Sequence, residues 1–159
     1  MNRLPQRAKD FLRSAIELAR NDLNLETVDS SAVLLAIIKL RDENASAKWL
    51  RSVKLTDAAI ISFVNQDYSL RHVVPLSVSS PPVFTQSLLQ VVSHLDRLSW
   101  DSRAADGVYI ADILEAVTYS DSPTVRRIFA SVNLSMSEVR SLLNPPSIVD
   151  RKKLYARRT

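Results

Sequence analysis

An internal repeat constrains the fold of this chain more than any other feature of its sequence. At an offset of 77 residues, positions 5–18 fall on 82–95, and the proline and the large apolar residues at 11, 12 and 18 meet proline or leucine. At an offset of 79, positions 34–55 fall on 113–134, and both stretches end in the pattern S-V-x-L. Self-similarity at a fixed period, with apolar residues at helical spacing, predicts a helical repeat. We therefore expect an all-α fold of eight helices, built from two pseudo-twofold-related four-helix repeats.

Helix-start signals divide each repeat into four helices. Serine, threonine or aspartate, which favour the N-cap position, precedes several of the apolar stretches. One of these caps is followed by proline, which suits the first turn of a helix because its missing N–H is not needed there. The predicted caps are Asp29 or Ser30 and Thr56 in the first repeat, and Thr85, Ser122 and Ser135 in the second.

The segment between the repeats has a different composition. Residues 67–81 carry serines, prolines and β-branched residues without a helical period, a pattern that is typical of a linker. We therefore divide the chain into a first repeat at 1–66, a linker at 67–81, a second repeat at 82–144, and a basic tail or linker at 145–159.

The sequence contains no constellation of residues that predicts catalysis. A phosphate-binding P-loop needs two glycines, and the chain has only Gly107. There is no cysteine, and the two histidines, His72 and His94, lack the spacing of metal ligands. His94 and Asp96 are two positions apart on a predicted helix, so they do not face each other, and His94 is expected on the solvent side. We therefore predict no catalytic residue, no metal site and no cofactor.

The basic character of the chain lies in its tail. The formal net charge is +4 at pH 7, and residues 150–159 supply all of it. A neutral body argues against a broad phosphate-binding face, so nucleic acid is not the expected partner. We interpret the tail as a solvated linker, and its alternative role is to bind an acidic partner or nucleic acid. Its basic residues are Arg151, Lys152, Lys153, Arg157 and Arg158.

The sequence shows no signal for a membrane or for secretion. No apolar run approaches the length of about 18 residues that a membrane-spanning helix needs. The first residues lack the apolar centre of a secretory signal. We expect a cytoplasmic protein with no membrane partner.

A tandem of two four-helix repeats resembles the N-terminal domain of the Clp/Hsp100 AAA+ unfoldases. Residues 3–19 look like the first helix of that family, and residues 122–134 look like the third helix of its second repeat with the turn that follows. Residues 28–35 stand where the family has an I-G-T-E-H-L-L-L type element. The G-T-E-H part is replaced in both copies, at 29–32 and at 108–111, while the apolar positions remain.

The resemblance implies a protein-binding module that recognises client peptides or an adaptor for a Clp ATPase or protease, with no ATPase activity in this chain. One alternative is a standalone accessory protein or a type VI secretion ATPase N-domain that binds a partner helix. Another is a nucleic-acid-binding helical protein that uses the basic tail. Trp49, at a regular apolar position, is expected in the core. The residues expected near a binding groove between the repeats are Leu4, Pro5, Leu98, Trp100 and Tyr109.

Overall fold

The computed structural model describes residues 4, 6–23, 25, 27–39, 45–66, 83–101 and 110–143. Within them lie two short strands, β1 (Thr27–Val28) and β2 (Val83–Phe84), and a π-helical turn, Leu18–Asp22. The rest of the regular structure is helical, so the all-α class predicted from the sequence is confirmed. The α-helices of these ranges are α1 (Gln6–Glu17), α2 (Ser30–Lys39), α3 (Ala45–Ser52), α4 (Asp57–Gln66), α5 (Gln86–Asp101), α6 (Ile110–Tyr119), α7 (Pro123–Ala130) and α8 (Met136–Leu143).

The turns that follow α3 and α7 have the same geometry. Lys54 and Asn133 lie in the left-handed region, with φ of 68° and 62°. In each turn the next residue donates its N–H to the carbonyl five positions earlier, at 3.0 Å, which is the closing bond of a Schellman turn. The variable position of S-V-x-L is therefore the left-handed residue in both halves of the chain. The pseudo-twofold relation between the halves stays a prediction.

Helix α2 is the centre of the molecule. Every residue from Ser30 to Ile38 is buried, and only Lys39 is exposed. The helix contacts α1, α3, α4, α5, α6 and α7. A helix that is apolar on every face beyond its first turn is stable only inside a core. Buried side chains from both halves form one hydrophobic cluster around it, so the two predicted repeats pack as a single body.

The two strands have no counterpart in the sequence-based prediction. They are two residues long, too short to show an alternating pattern. They pair in parallel with Val28 opposite Phe84, and the N–H of Thr85 donates to the carbonyl of Val28 at 3.0 Å. This register places the next residues, Asp29 and Thr85, side by side at the starts of α2 and α5.

Three further expectations concern Trp49, membrane-spanning helices, and the segments at 67–81 and 145–159. Trp49 packs against the core as predicted, with its ring centroid 6.4 Å from that of Phe129. None of the helices in the described part of the chain is long and apolar enough to cross a membrane. The predicted linker at 67–81 and the tail at 145–159 lie outside the described residues.

Candidate functional site

The structure corrects the expectation for one of the predicted groove residues. Leu4 is only 4% exposed and belongs to the hydrophobic core, so in the unbound chain its side chain packs inside the protein rather than lining an exposed groove. The other groove residues stay predictions. Leu98 and Trp100 belong to α5, but their side chains are not described. Outside the described residues lie Pro5, Tyr109, Arg151, Lys152, Lys153, Arg157 and Arg158.

Three helices begin around one buried carboxylate. Asp29 is the N-cap of α2, Thr85 of α5 and Ser122 of α7, and an amide of each first turn donates to the side chain of its cap, at 3.2, 3.3 and 3.2 Å respectively. These bonds satisfy amides that have no partner within their own helix. Thr85 and Ser122 were predicted as caps from the sequence, and Asp29 was one of two residues predicted for α2, the other being Ser30. That the three caps meet at one point was not predicted.

The carboxylate of Asp29 accepts hydrogen bonds from both halves of the chain. Oδ1 accepts from the hydroxyls of Thr85 at 2.9 Å and Ser87 at 2.5 Å. Oδ2 accepts from the hydroxyls of Ser31 at 2.8 Å and Ser122 at 2.7 Å. Asp29 is 5% exposed, and the described residues give it no ion-pair partner. Hydroxyl and amide donors therefore stabilise its charge.

A second row of hydroxyls extends this network to the end of α6. The Ser30 hydroxyl donates to Ser87 Oγ at 3.2 Å, and the Ser120 hydroxyl lies 3.0 Å from Ser30 Oγ. All three serines are buried. The turn between α6 and α7 is therefore tied to the first half of the chain at two positions. We call the whole set the Asp29 network, namely Asp29, Ser30, Ser31, Thr85, Ser87, Ser120 and Ser122.

The charge state of Asp29 follows from these contacts. Burial raises the pKa of Asp29, but hydrogen bonds from Ser87, Ser122, Ser31 and Thr85 lower it by more, so the pKa lies below its ordinary value. The positive ends of three helix dipoles favour the same ionised form. A carboxylate has about four lone-pair sites, and the protein's own donors fill them here. The network is therefore suited to holding helices together rather than to binding a substrate.

A second cluster lies on the surface, at the last residue of α6. Tyr119 is 45% exposed, and its ring stacks on His94 of α5 with centroids 5.1 Å apart and planes 20° apart. The guanidinium carbon of Arg140, in α8, lies over the Tyr119 ring at 4.9 Å from its centroid. We call His94, Tyr119 and Arg140 the Tyr119 surface.

Arg140 is held in place by the end of α6. Its Nε and Nη2 donate to the carbonyl of Thr118 at 3.1 and 2.9 Å. A carbonyl in the last turn of a helix has no N–H donor within that helix, so Arg140 supplies one. His94 is half-buried against Tyr119, which corrects the expectation that it points into solvent. Side chains from two other helices, α5 and α8, thus hold the exposed ring of Tyr119 in position.

The sequence did not single out the Tyr119 surface. Its members come from α5, α6 and α8, and no spacing along the chain relates them. An aromatic residue directly before a helix stop, as in Tyr119-Ser120-Asp121-Ser122-Pro123, was the one available signal. Within the described residues, no group of three or more histidine, cysteine, aspartate or glutamate side chains could hold a metal ion.

Comparisons with known proteins bear on the fold. No family model matches this chain, and no curated protein matches it. A solved structure from preliminary structural investigations of a malarial protein secretion system is similar over 89% of this chain and 92% of that chain. Its TM-score is 0.61 and its sequence identity is 14%. At this identity the similarity shows a shared fold and nothing finer.

Proposed function

We propose that this chain is a protein-binding module of a cytoplasmic Clp-type chaperone or protease system, which recognises client peptides or an adaptor and hydrolyses no ATP itself. The sequence resemblance at 3–19, 28–35 and 122–134 supports the family, and the helical fold is compatible with it. The observation that carries a binding role is the Tyr119 surface.

The physical case for binding rests on how this ring is fixed. Tyrosine and arginine are enriched among the residues that dominate binding energy in protein interfaces. Binding normally costs free energy because surface side chains lose rotamer freedom. His94 and Arg140 already restrict Tyr119 in the unbound chain, so a partner that packs on the ring has little of this cost to overcome.

The chemistry of the surface suits a segment with an apolar side chain next to a carboxylate. The apolar group would pack on the exposed part of the Tyr119 ring. Arg140 uses Nε and Nη2 for the carbonyl of Thr118, which leaves Nη1 directed to no acceptor in the described residues. A guanidinium with an open donor is well matched to a carboxylate. The similar solved structure comes from a protein secretion system, a context that agrees with a protein-handling role.

Site-specific photo-crosslinking in cells tests this proposal. A photoreactive phenylalanine analogue placed at Tyr119 keeps an aromatic ring there. The same analogue at Val83, which is 49% exposed on β2, is the matched control. We expect position 119 to capture Clp subunits, an adaptor or unfolded clients, and we expect Arg140→Ala to abolish that capture.

Two results would contradict the proposal. One is an identical set of captured proteins at positions 119 and 83. The other is retention of nucleic acid that falls steeply with salt and disappears when residues 150–159 are removed, since this is the behaviour of phosphate contacts.

A further inference from the structure

The α6–α7 turn connects the buried network to the exposed surface. Ser122 in this turn donates to the carboxylate of Asp29, and Ser120 contacts Ser30. The residue directly before Ser120 is Tyr119. The middle residue of the turn, Asp121, donates its N–H to Gln90 Oε1 of α5 at 2.7 Å.

We propose that the carboxylate of Asp29 acts as a conformational clasp, which closes the α6–α7 turn against α2 and α5 and thereby sets the position of Tyr119. Closure of the turn depends on the buried contacts alone. The consequence for binding at Tyr119 rests on the proposed function.

The directions of the hydrogen bonds explain why the charge matters. The Asp29 carboxylate only accepts, and four hydroxyls of the network donate to it, namely those of Ser31, Thr85, Ser87 and Ser122. An asparagine in its place keeps the shape of the side chain but turns one acceptor atom into a donor. That donor would face either Thr85 and Ser87 or Ser31 and Ser122, and the hydroxyls on that side would lose their acceptor. The three helix starts then lose their common anchor, while α3 and α4 keep all their contacts with α2.

Hydrogen exchange followed by mass spectrometry on the full chain tests the clasp. In Asp29→Asn we expect exchange to rise together, by about tenfold, at the α6–α7 turn and in the first turns of α5 and α7. The turn after α3, at Lys54 and Leu55, should keep its wild-type rate. Asp57→Asn is the matched control, because Asp57 is an exposed carboxylate in the first turn of α4 that, among the described residues, accepts from the neighbouring Ala58 amide alone, at 2.9 Å.

A second variant keeps the test decisive if Asp29→Asn folds poorly. Ser122→Ala removes one donor and should give the same regional pattern with a smaller rise. A uniform rise over all helices in both variants, or no change at the α6–α7 turn, would overturn the clasp.

The binding part of the inference has a separate readout. With the segment captured at position 119 as the probe, Asp29→Asn should weaken binding by about tenfold, and Asp57→Asn should not change it. Exchange at the turn that rises without any loss of affinity would overturn the link to Tyr119. Failure of the wild-type chain to capture any segment would refute the proposed function, and the exchange pattern would still decide the clasp.

Discussion

The Asp29 network and the Tyr119 surface use polar groups in opposite ways. In the network every oxygen of the carboxylate is occupied by hydroxyls or amides of the same chain, and Asp29 is 5% exposed. In the surface cluster the polar groups hold an aromatic ring that is 45% exposed. The first arrangement stabilises the fold and leaves nothing for a ligand. The second leaves a fixed ring for a partner. Substitutions should therefore divide into those that change folding and those that change binding.

The largest effect on folding is expected from Asp29→Ala. This change removes the N-cap of α2 and the common acceptor of four hydroxyls, three of them on buried residues, so we expect a loss of about 3 kcal/mol in the free energy of unfolding. Urea denaturation measures it. Asp57→Ala, at an exposed helix start, should cost less than about 1 kcal/mol. Equal losses in the free energy of unfolding at the two positions would show that the buried carboxylate of Asp29 stabilises the fold no more than an exposed one.

The pH dependence of stability should follow the ionisation of Asp29. Its pKa is lowered in the folded protein, so its contribution is fully present above the unfolded-state pKa of about 3.9. The contribution is lost as the pH falls through the lower, folded-state value. We expect the stability difference between wild type and Asp29→Asn to be constant above about pH 5 and to shrink below about pH 4. Chemical denaturation at a series of pH values measures this difference, and a gap that widens towards acid pH would contradict it.

A smaller effect on folding is expected from Ser122→Ala. Ser122 caps α7 and donates to Asp29, and loss of an N-cap typically costs about 1 kcal/mol. The double variant Asp29→Ala, Ser122→Ala should lose less free energy of unfolding than the two single variants lose together, because both changes remove the same contact. Full additivity in a double-mutant cycle would show that the two residues act independently.

The smallest effect on folding is expected from Tyr119→Ala. The stack on His94 and the contact with Arg140 are partly exposed, so each should contribute only about 0.5 kcal/mol, the low end of the usual range for such interactions. We expect the thermal midpoint to fall by only a few degrees in a melting experiment. A loss as large as that of Asp29→Ala would place Tyr119 among the residues that hold the core together.

The helices could be predicted from the sequence because their signals are local. Apolar spacing and N-cap residues such as Thr56, Thr85 and Ser135 act within one turn. The structure bears these out through bonds from the first-turn amides to Thr56, Thr85 and Ser135 at 3.1, 3.3 and 3.1 Å.

The candidate sites could not be predicted because their members are far apart in the chain. Asp29 meets Ser87 and Ser122 only because β1 and β2 pair in one particular register and α7 packs on α2. Tyr119 meets His94 and Arg140 only once α5, α6 and α8 have packed together. The location of Leu4 could not be predicted from the sequence either, because an apolar residue before a first helix can equally line a groove or fill the core. The structure places Leu4 in the core.

Calorimetric titration of the segment captured at position 119 into wild type and Tyr119→Ala is the most direct test of the division between folding and binding. We predict that Tyr119→Ala weakens binding by at least about tenfold, equivalent to about 1.4 kcal/mol, while its free energy of unfolding stays within about 1 kcal/mol of wild type. Unchanged affinity in a fully folded Tyr119→Ala variant would contradict the assignment of the Tyr119 surface as the binding site.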